Sequence, residues 1–159
     1  MSTNMLVLKR TRRQPKIGDI FAYQLGPVPD KFYFGRVIAT DAELGNCPDV
    51  ILIYLYKTPS SEKTVIPELL TSDLLVPPIG TNKKPWTMGY FEFIENREIF
   101  SKDRLVSHCF YRPLNGRFYD EYANELPHSI EPVGIFGLSG LGAIDDEVSD
   151  ALRVPKVAG

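Results

Sequence analysis

The 159-residue chain is 43% hydrophobic and 24% charged, with a formal net charge of −2. These values are typical of a soluble globular protein, and the length fits one domain whose core needs neither disulfides nor a metal. The longest apolar run, residues 50–56, is too short to cross a membrane, and the apolar run 5–8 is too short for a signal-peptide core. Since Cys47 and Cys109 are the only cysteines, we expect a cytoplasmic protein with two free thiols.

The charges are unevenly distributed along the chain. Residues 1–18 hold five lysines and arginines and no acid, whereas residues 119–152 hold eight acids and no lysine or arginine. Such asymmetry bears on binding partners rather than on fold. The acidic segment is either an ordinary solvated surface or a docking surface for a basic protein.

The first half of the chain reads as a series of strands. Alternating aromatic and aliphatic residues predict a hairpin from strands 17–25 and 32–40, joined by a proline-rich turn at 26–30. Residues 41–49 are interpreted as a loop. The nearly continuous apolar run at 50–57 predicts a strand that is covered on both faces.

The second half begins with a predicted short helix at 67–75, because Pro67 suits a first helical position. Strands are predicted at 86–94 and 105–112. The Asn115-Gly116 pair is a strong hairpin signal, and residues 118–122 form the returning strand.

The last part of the chain, residues 127–142, is glycine-rich and is expected to be irregular. Residues 143–153 predict a short helix, with acids at 145–147 near its start and Arg153 near its end, in agreement with the helix dipole. The predicted fold class is α+β, mainly antiparallel β, with a curled or barrel-like sheet of about six strands and two short helices. We expect a single domain over 1–159, comprising a basic arm (1–16), a β-rich core (17–126) and a C-terminal segment (127–159).

No catalytic or metal-binding pattern is evident. His108 and Cys109 are neighbours on a predicted strand, so their side chains should point to opposite faces, and the same holds for Asp120 and Glu121. The spacing of cysteines and histidines matches no zinc pattern, and the sequence contains no phosphate-binding or hydrolase motif. We therefore expect a protein that is not an enzyme and that has no metal or cofactor.

Arg36 occupies an unusual position in the predicted hairpin. Counting by twos places it on the same face as Phe34 and Ile38, where an unpaired charge would be costly. One possibility is a β-bulge at Gly35 that turns Arg36 outward. The other is a buried Arg36 paired with a carboxylate, for which Asp19 is the first candidate.

Three blocks of sequence give the chain a family resemblance. PKIGDIFAYQL followed by KFYFGRVI resembles the opening of the Immunity protein 26 family of bacterial polymorphic-toxin systems. PWTMG and HCFYRPLNGRFYDEYANEL are similar to later blocks of that family. The structural signature implied by the resemblance comprises Gly18, Asp19, Phe21, Gly35, Arg36 and Trp86.

The resemblance implies a non-catalytic inhibitor that binds a cognate toxin domain in the cytoplasm, as in contact-dependent inhibition. Toxins of these systems are often nucleases with basic grooves, so an acidic inhibitor surface would suit such a partner. We expect neither membrane nor nucleic-acid binding. The candidate toxin-binding residues are Asp120, Glu121, Glu125, Asp145, Asp146 and Glu147.

Two other functions remain open. The basic arm, with Tyr23, Tyr33 or Trp86 as stacking groups, could belong to a nucleic-acid-binding β-barrel. A small hydrolase would require a pocket in which His108 or His128 pairs with a carboxylate.

Overall fold

A computed structural model describes residues 2–156 of the chain. Within that range the strands form two sheets, one of five strands and one of four. The five-stranded sheet has the order β4-β3-β2-β1-β5, and all its neighbouring strands are antiparallel. Its strands are β1 (Asp19–Tyr23), β2 (Tyr33–Leu44), β3 (Cys47–Leu55), β4 (Ile79–Thr81) and β5 (Glu92–Asn96).

The four-stranded sheet has the order β8-β7-β6-β9. Its β6–β9 pair is parallel, and its other two pairs are antiparallel. Its strands are β6 (Cys109–Arg112), β7 (Arg117–Tyr119), β8 (Glu125–Leu126) and β9 (Val133–Ile135). The α+β class with mainly antiparallel sheets is confirmed. The barrel-like sheet of about six strands is wrong, because the nine strands of residues 2–156 form two sheets that do not close.

Two α-helices, α1 (Lys84–Thr87) and α2 (Leu141–Leu152), and a 3₁₀ helix (Ser101–Asp103) complete the described structure. The C-terminal helix is confirmed, but it begins two residues earlier than predicted. The acids at 145–147 therefore lie beyond the first turn, and Arg153 is a left-handed C-cap rather than a helical residue. The expected match between these charges and the helix dipole is therefore wrong.

The predicted loop at 41–49 is instead a tight hairpin. Strands β2 and β3 continue through it, and the turn residues Gly45 and Asn46 have φ values of 61° and 63°. Two successive positive φ values are characteristic of a type I′ turn, whose twist matches that of the flanking strands. The prediction missed it because the turn order is Gly-Asn rather than the commoner Asn-Gly.

The predicted helix at 67–75 is wrong. The backbone there bonds to the end of β3 and the residues that follow it, since Leu75 N–H donates to the Leu55 carbonyl and Lys57 N–H donates to the Asp73 carbonyl. In this extended conformation, Leu69 and Leu74 pack on the cluster that contains Leu52 and Tyr54 of β3. Tertiary packing thus outweighs the local helix signal.

Two further strand boundaries differ from prediction. Trp86 lies in α1, where Pro85 occupies the first turn, and β5 begins only at Glu92. The strand predicted at 105–112 is present only from Cys109 onward. The segment 127–142, predicted to be irregular, contains β9.

The five-stranded sheet is buried on both faces, as predicted for β3. One face carries Ile53 and packs against α2 through Ile144 and Val148. The opposite face carries Leu52 and Tyr54 and packs in a cluster with Phe110 of the smaller sheet. Among the described residues, no helix is long and apolar enough to cross a membrane.

Candidate functional site

Asp19 of the family signature is a buried anchor at the start of β1. Its carboxylate accepts hydrogen bonds from both terminal nitrogens of Arg13 at 2.8 Å, from the Lys16 amide at 2.7 Å and from the Asn96 side chain at 3.0 Å. Burial alone raises the pKa of Asp19, but the hydrogen bonds from its partners outweigh that effect and hold the pKa below its usual value. The Arg13 guanidinium also lies 4.0 Å from the centre of the Phe93 ring. The C-terminal part of the basic arm is therefore fixed to the scaffold.

The two glycines of the signature are required by close contacts. Gly18 has a φ of +91°, and a Cβ there would lie 2.3 Å from the Arg97 carbonyl oxygen. Gly35 faces the ring of Phe21, and a Cβ there would lie 2.3 Å from Phe21 Cζ. Both positions therefore need glycine for packing or backbone geometry, which is a structural role.

Arg36 is buried, with 4% of its surface exposed. Its Nη2 donates to the backbone carbonyls of Arg97 at 3.0 Å and Glu98 at 3.1 Å. Its Nη1 lies 3.5 Å from Oδ1 of Asp103. The guanidinium thus ties β2 to the segment that follows β5.

These contacts decide between the two predictions for Arg36. The register of β1 and β2 runs unbroken through Gly35, so the bulge alternative is wrong. A buried Arg36 near a carboxylate is confirmed, but its partner is Asp103. Asp19 does not pair with Arg36, because its carboxylate is bound by Arg13.

The most connected polar cluster joins the two sheets through His108. His108 Nδ1 lies 2.5 Å from Glu121 Oε2, and His108 Nε2 lies 2.5 Å from the Tyr54 hydroxyl oxygen. That hydroxyl also accepts the Leu105 amide at 3.0 Å, and Arg104 lies 3.7 Å from Glu121. Each polar group in this chain has a partner, since Nδ1 of His108 faces Glu121 and Nε2 faces the Tyr54 hydroxyl.

The protonation behaviour of this cluster follows from its burial and its contacts. Burial raises the pKa of Glu121, but the hydrogen bond from His108 and the nearby positive charge outweigh this and hold its pKa below the usual value. Burial raises the pKa of Tyr54 to about 12. The Tyr54 hydroxyl therefore stays protonated at neutral pH and is available to donate to His108.

A cleft of about 400 Å³ opens beside His108 and Glu121. A histidine paired with a carboxylate is the feature a hydrolase would need, but both ring nitrogens of His108 are engaged by Glu121 and Tyr54. The hydroxyl that faces Nε2 belongs to Tyr54, which is fully buried, so this hydroxyl is not presented at the surface. The cluster of Tyr54, His108 and Glu121 is called here the clasp, because it joins β3 of the larger sheet to segments next to β6 and β7 of the smaller sheet.

Sequence reasoning missed the clasp for two reasons. The expectation for Asp120 and Glu121 placed both on one strand, but β7 ends at Tyr119, and the pair lies in the following turn. The third member, Tyr54, is 54 residues from His108 along the chain, and no local spacing indicates that pairing.

Two of the six candidate toxin-binding acids are buried, namely Glu121 in the clasp and Asp145 in α2. The Asp145 carboxylate accepts the backbone amides of Asn4 at 3.1 Å and Met5 at 2.8 Å. It therefore holds the start of the chain against α2, and neither acid presents its carboxylate freely to a partner.

The other four acids are more accessible. Asp120 is half-buried and its carboxylate caps the turn that follows it, whereas Glu125 is exposed and pairs with Arg117 at 2.9 Å. Asp146 is exposed on α2. Glu147 is half-buried, and burial raises its pKa.

The groups proposed for nucleic-acid stacking are inaccessible. Tyr23, Tyr33 and Trp86 are all buried in the core around Phe21 and Phe91. The stacking version of a nucleic-acid module is therefore wrong, because a base cannot reach these rings.

Both cysteines are free thiols. Cys109 and His108 are buried, Cys47 is half-buried, and His128 is exposed. Within residues 2–156, no group of three or more His, Cys, Asp or Glu side chains is arranged to hold a metal ion.

Comparison with known proteins identifies the family. No curated protein and no solved structure matches the chain. The family model described as Immunity protein 26 matches residues 16–119. This range includes all six signature residues and the whole of the five-stranded sheet. The chain therefore belongs to the Immunity protein 26 family.

Proposed function

We propose that the protein protects the cell that makes it by binding a cognate nuclease toxin domain in the cytoplasm. Family membership over residues 16–119 is the observation that carries this proposal. The toxin would belong to a polymorphic-toxin system, such as one of contact-dependent inhibition. Neutralisation would occur by direct binding, without any chemical step on the toxin.

The state of His108 supports inhibition without catalysis. Glu121 and Tyr54 occupy its two ring nitrogens. A stable interface blocks an active site simply by occupying it, and it requires surface complementarity rather than a reactive group.

We further propose that exposed acids contact the basic groove of the nuclease. Glu125 and Asp146 are exposed, and Asp120 and Glu147 are half-buried. Their role would be mainly to accelerate association, because complementary charges steer the encounter of two proteins. Glu121 and Asp145 are left out of this surface, since their carboxylates are bound within the fold.

The first experiment asks whether the protein protects against a toxin. The toxin domain encoded next to this gene is expressed from an inducible promoter, with or without the protein. We expect growth only when the protein is co-expressed, together with saturable binding of the two purified proteins in calorimetry. Growth arrest that the protein does not relieve would overturn the proposed function.

The second experiment tests the acidic contacts. The variant Glu125→Lys/Asp146→Lys should lower the association rate constant roughly tenfold at low salt, with a smaller effect at high salt. The matched control Asp30→Lys/Glu62→Lys makes the same charge change at two exposed acids elsewhere in the chain. Equal effects of the two variants in stopped-flow measurements would show that only net charge matters and would remove the acidic contact surface.

A further inference from the structure

A second cleft, on the larger sheet, is built around Arg36 and is called here the Arg36 cleft. It has a volume of about 340 Å³. Residues 68–70 form one wall, and residues in the segment 97–103 form the other, with Arg36 between them. All of these residues lie within the range matched by the family.

The guanidinium of Arg36 is only partly satisfied. A guanidinium has five N–H donors, and Nη2 supplies the hydrogen bonds to the Arg97 and Glu98 carbonyls. Nη1 lies 3.5 Å from Asp103, beyond good hydrogen-bond distance. Nε is buried and has no hydrogen-bond partner among the described residues. Burying a charged group with unmet donors is costly, so a further acceptor for the Nη1 donors would be favoured.

Two large apolar side chains lie at the rim of the Arg36 cleft. Phe100 on one wall is 55% exposed, and Leu70 on the other is 43% exposed. An exposed aromatic residue beside a pocket that holds an arginine has the composition of an interface hot spot.

The charges around the cleft differ in their environment. Arg97 and Lys102 lie in the lining with Glu68 and Glu98, and all four are exposed, so solvent screens them. Arg36 is the most buried charge, and a buried charge acts through a lower dielectric. Asp103 faces Arg36 at 3.5 Å and is also largely buried, so the lining as a whole carries three positive and three negative charges. A preference for a carboxylate therefore rests on the unmet donors of Arg36 and not on net charge.

We propose that the Arg36 cleft receives an acidic side chain of the toxin domain, carried on a segment whose apolar residues pack against Phe100 and Leu70. The carboxylate would accept from the free donors of Arg36 in a charge-assisted hydrogen bond. This inference rests on the proposed function. In this contact the positive charge is on this protein and the negative charge on the toxin, the reverse of the acidic surface described above.

The test uses Phe100 because replacing Arg36 would leave Asp103 and two backbone carbonyls unpaired within the fold. Phe100→Glu and Phe100→Lys remove the same ring and place opposite charges at the mouth of the cleft. With an acidic occupant, Phe100→Glu should weaken toxin binding about 30-fold or more. Phe100→Lys should weaken it much less, because its charge attracts the incoming carboxylate. Leu114→Glu, at a side chain 83% exposed in the β6–β7 turn, is the control and should change the affinity less than about twofold.

Each outcome of the calorimetric titration of the toxin domain has one meaning. Strong loss with Phe100→Glu and weak loss with Phe100→Lys supports the proposal. Equal loss with both variants overturns the acidic occupant, and no loss with either overturns docking at this cleft. Absence of binding by the wild-type protein overturns the proposed function itself and this inference with it. In every other outcome the wild-type protein binds the toxin domain. Failure of the inference about the cleft can therefore be distinguished from failure of the proposed function.

Discussion

Replacing Gly35 by alanine should destabilise the protein strongly, because the buried strand has no room for the added Cβ. The new Cβ would lie 2.3 Å and 2.5 Å from two carbons of the Phe21 ring and 2.8 Å from Leu55 Cδ2. Carbon atoms in good contact are about 3.5 Å apart, so the overlap with Phe21 is about 1.2 Å. Phe21 cannot easily move, because its ring is stacked on Phe91 at 4.4 Å and meets Trp86 edge-on at 5.1 Å.

Overpacking of this kind costs about 1–3 kcal/mol, and we expect the upper end, about 3 kcal/mol, because every neighbour of the ring is buried. Urea unfolding followed by tryptophan fluorescence gives the free energy of unfolding. Gly137→Ala is the matched control, since its Cβ would meet only Ile135 Cγ2 at 4.0 Å. A Gly35→Ala protein within about 0.5 kcal/mol of wild type would refute the packing of Phe21 on Gly35.

Three further predictions concern the buried polar contacts. Because the pKa of Glu121 is lower in the folded protein than in the unfolded chain, its contribution to stability is present above the unfolded pKa, about 4.3, and is lost as the pH falls through the folded value. Glu121→Gln should therefore flatten the acid limb of a plot of unfolding free energy against pH, and an unchanged limb would refute the coupling with His108. Tyr54→Phe should cost about 2 kcal/mol at neutral pH, since it leaves buried partners unsatisfied; a neutral effect in urea unfolding would contradict the clasp. Asp145→Asn should speed hydrogen exchange of the N-terminal amides it binds, whereas the exposed control Asp146→Asn should not; equal protection in both variants would show that Asp145 does not hold the arm.

The strand pattern of the core could be predicted from sequence because its signals are local. Alternation in β1 and β2 and the apolar run of β3 identify strands whatever they pair with. The errors occur in segments whose conformation is determined by tertiary contacts. The segment 67–75 has a helical start signal, but its backbone bonds to the end of β3 instead. The short helix at Trp86 is four residues long, and its aromatic neighbours mimic a strand.

The polar sites were predictable only in part. Burial of Arg36 near a carboxylate follows from its place on an aromatic face, but the choice of Asp103 over Asp19 depends on where the arm carries Arg13. The acidic segment 119–152 looks uniform in sequence. The fold divides it, because Glu121 and Asp145 serve as internal acceptors while their neighbours remain at the surface. Sequence spacing carries no signal for that division.

The most direct measurement of the central claim is a calorimetric titration of the purified toxin domain encoded beside this gene into the wild-type protein. The proposed function predicts saturable binding, with the activity of the toxin lost at the stoichiometric point. A flat titration with the toxin fully active in the presence of excess protein would contradict the account.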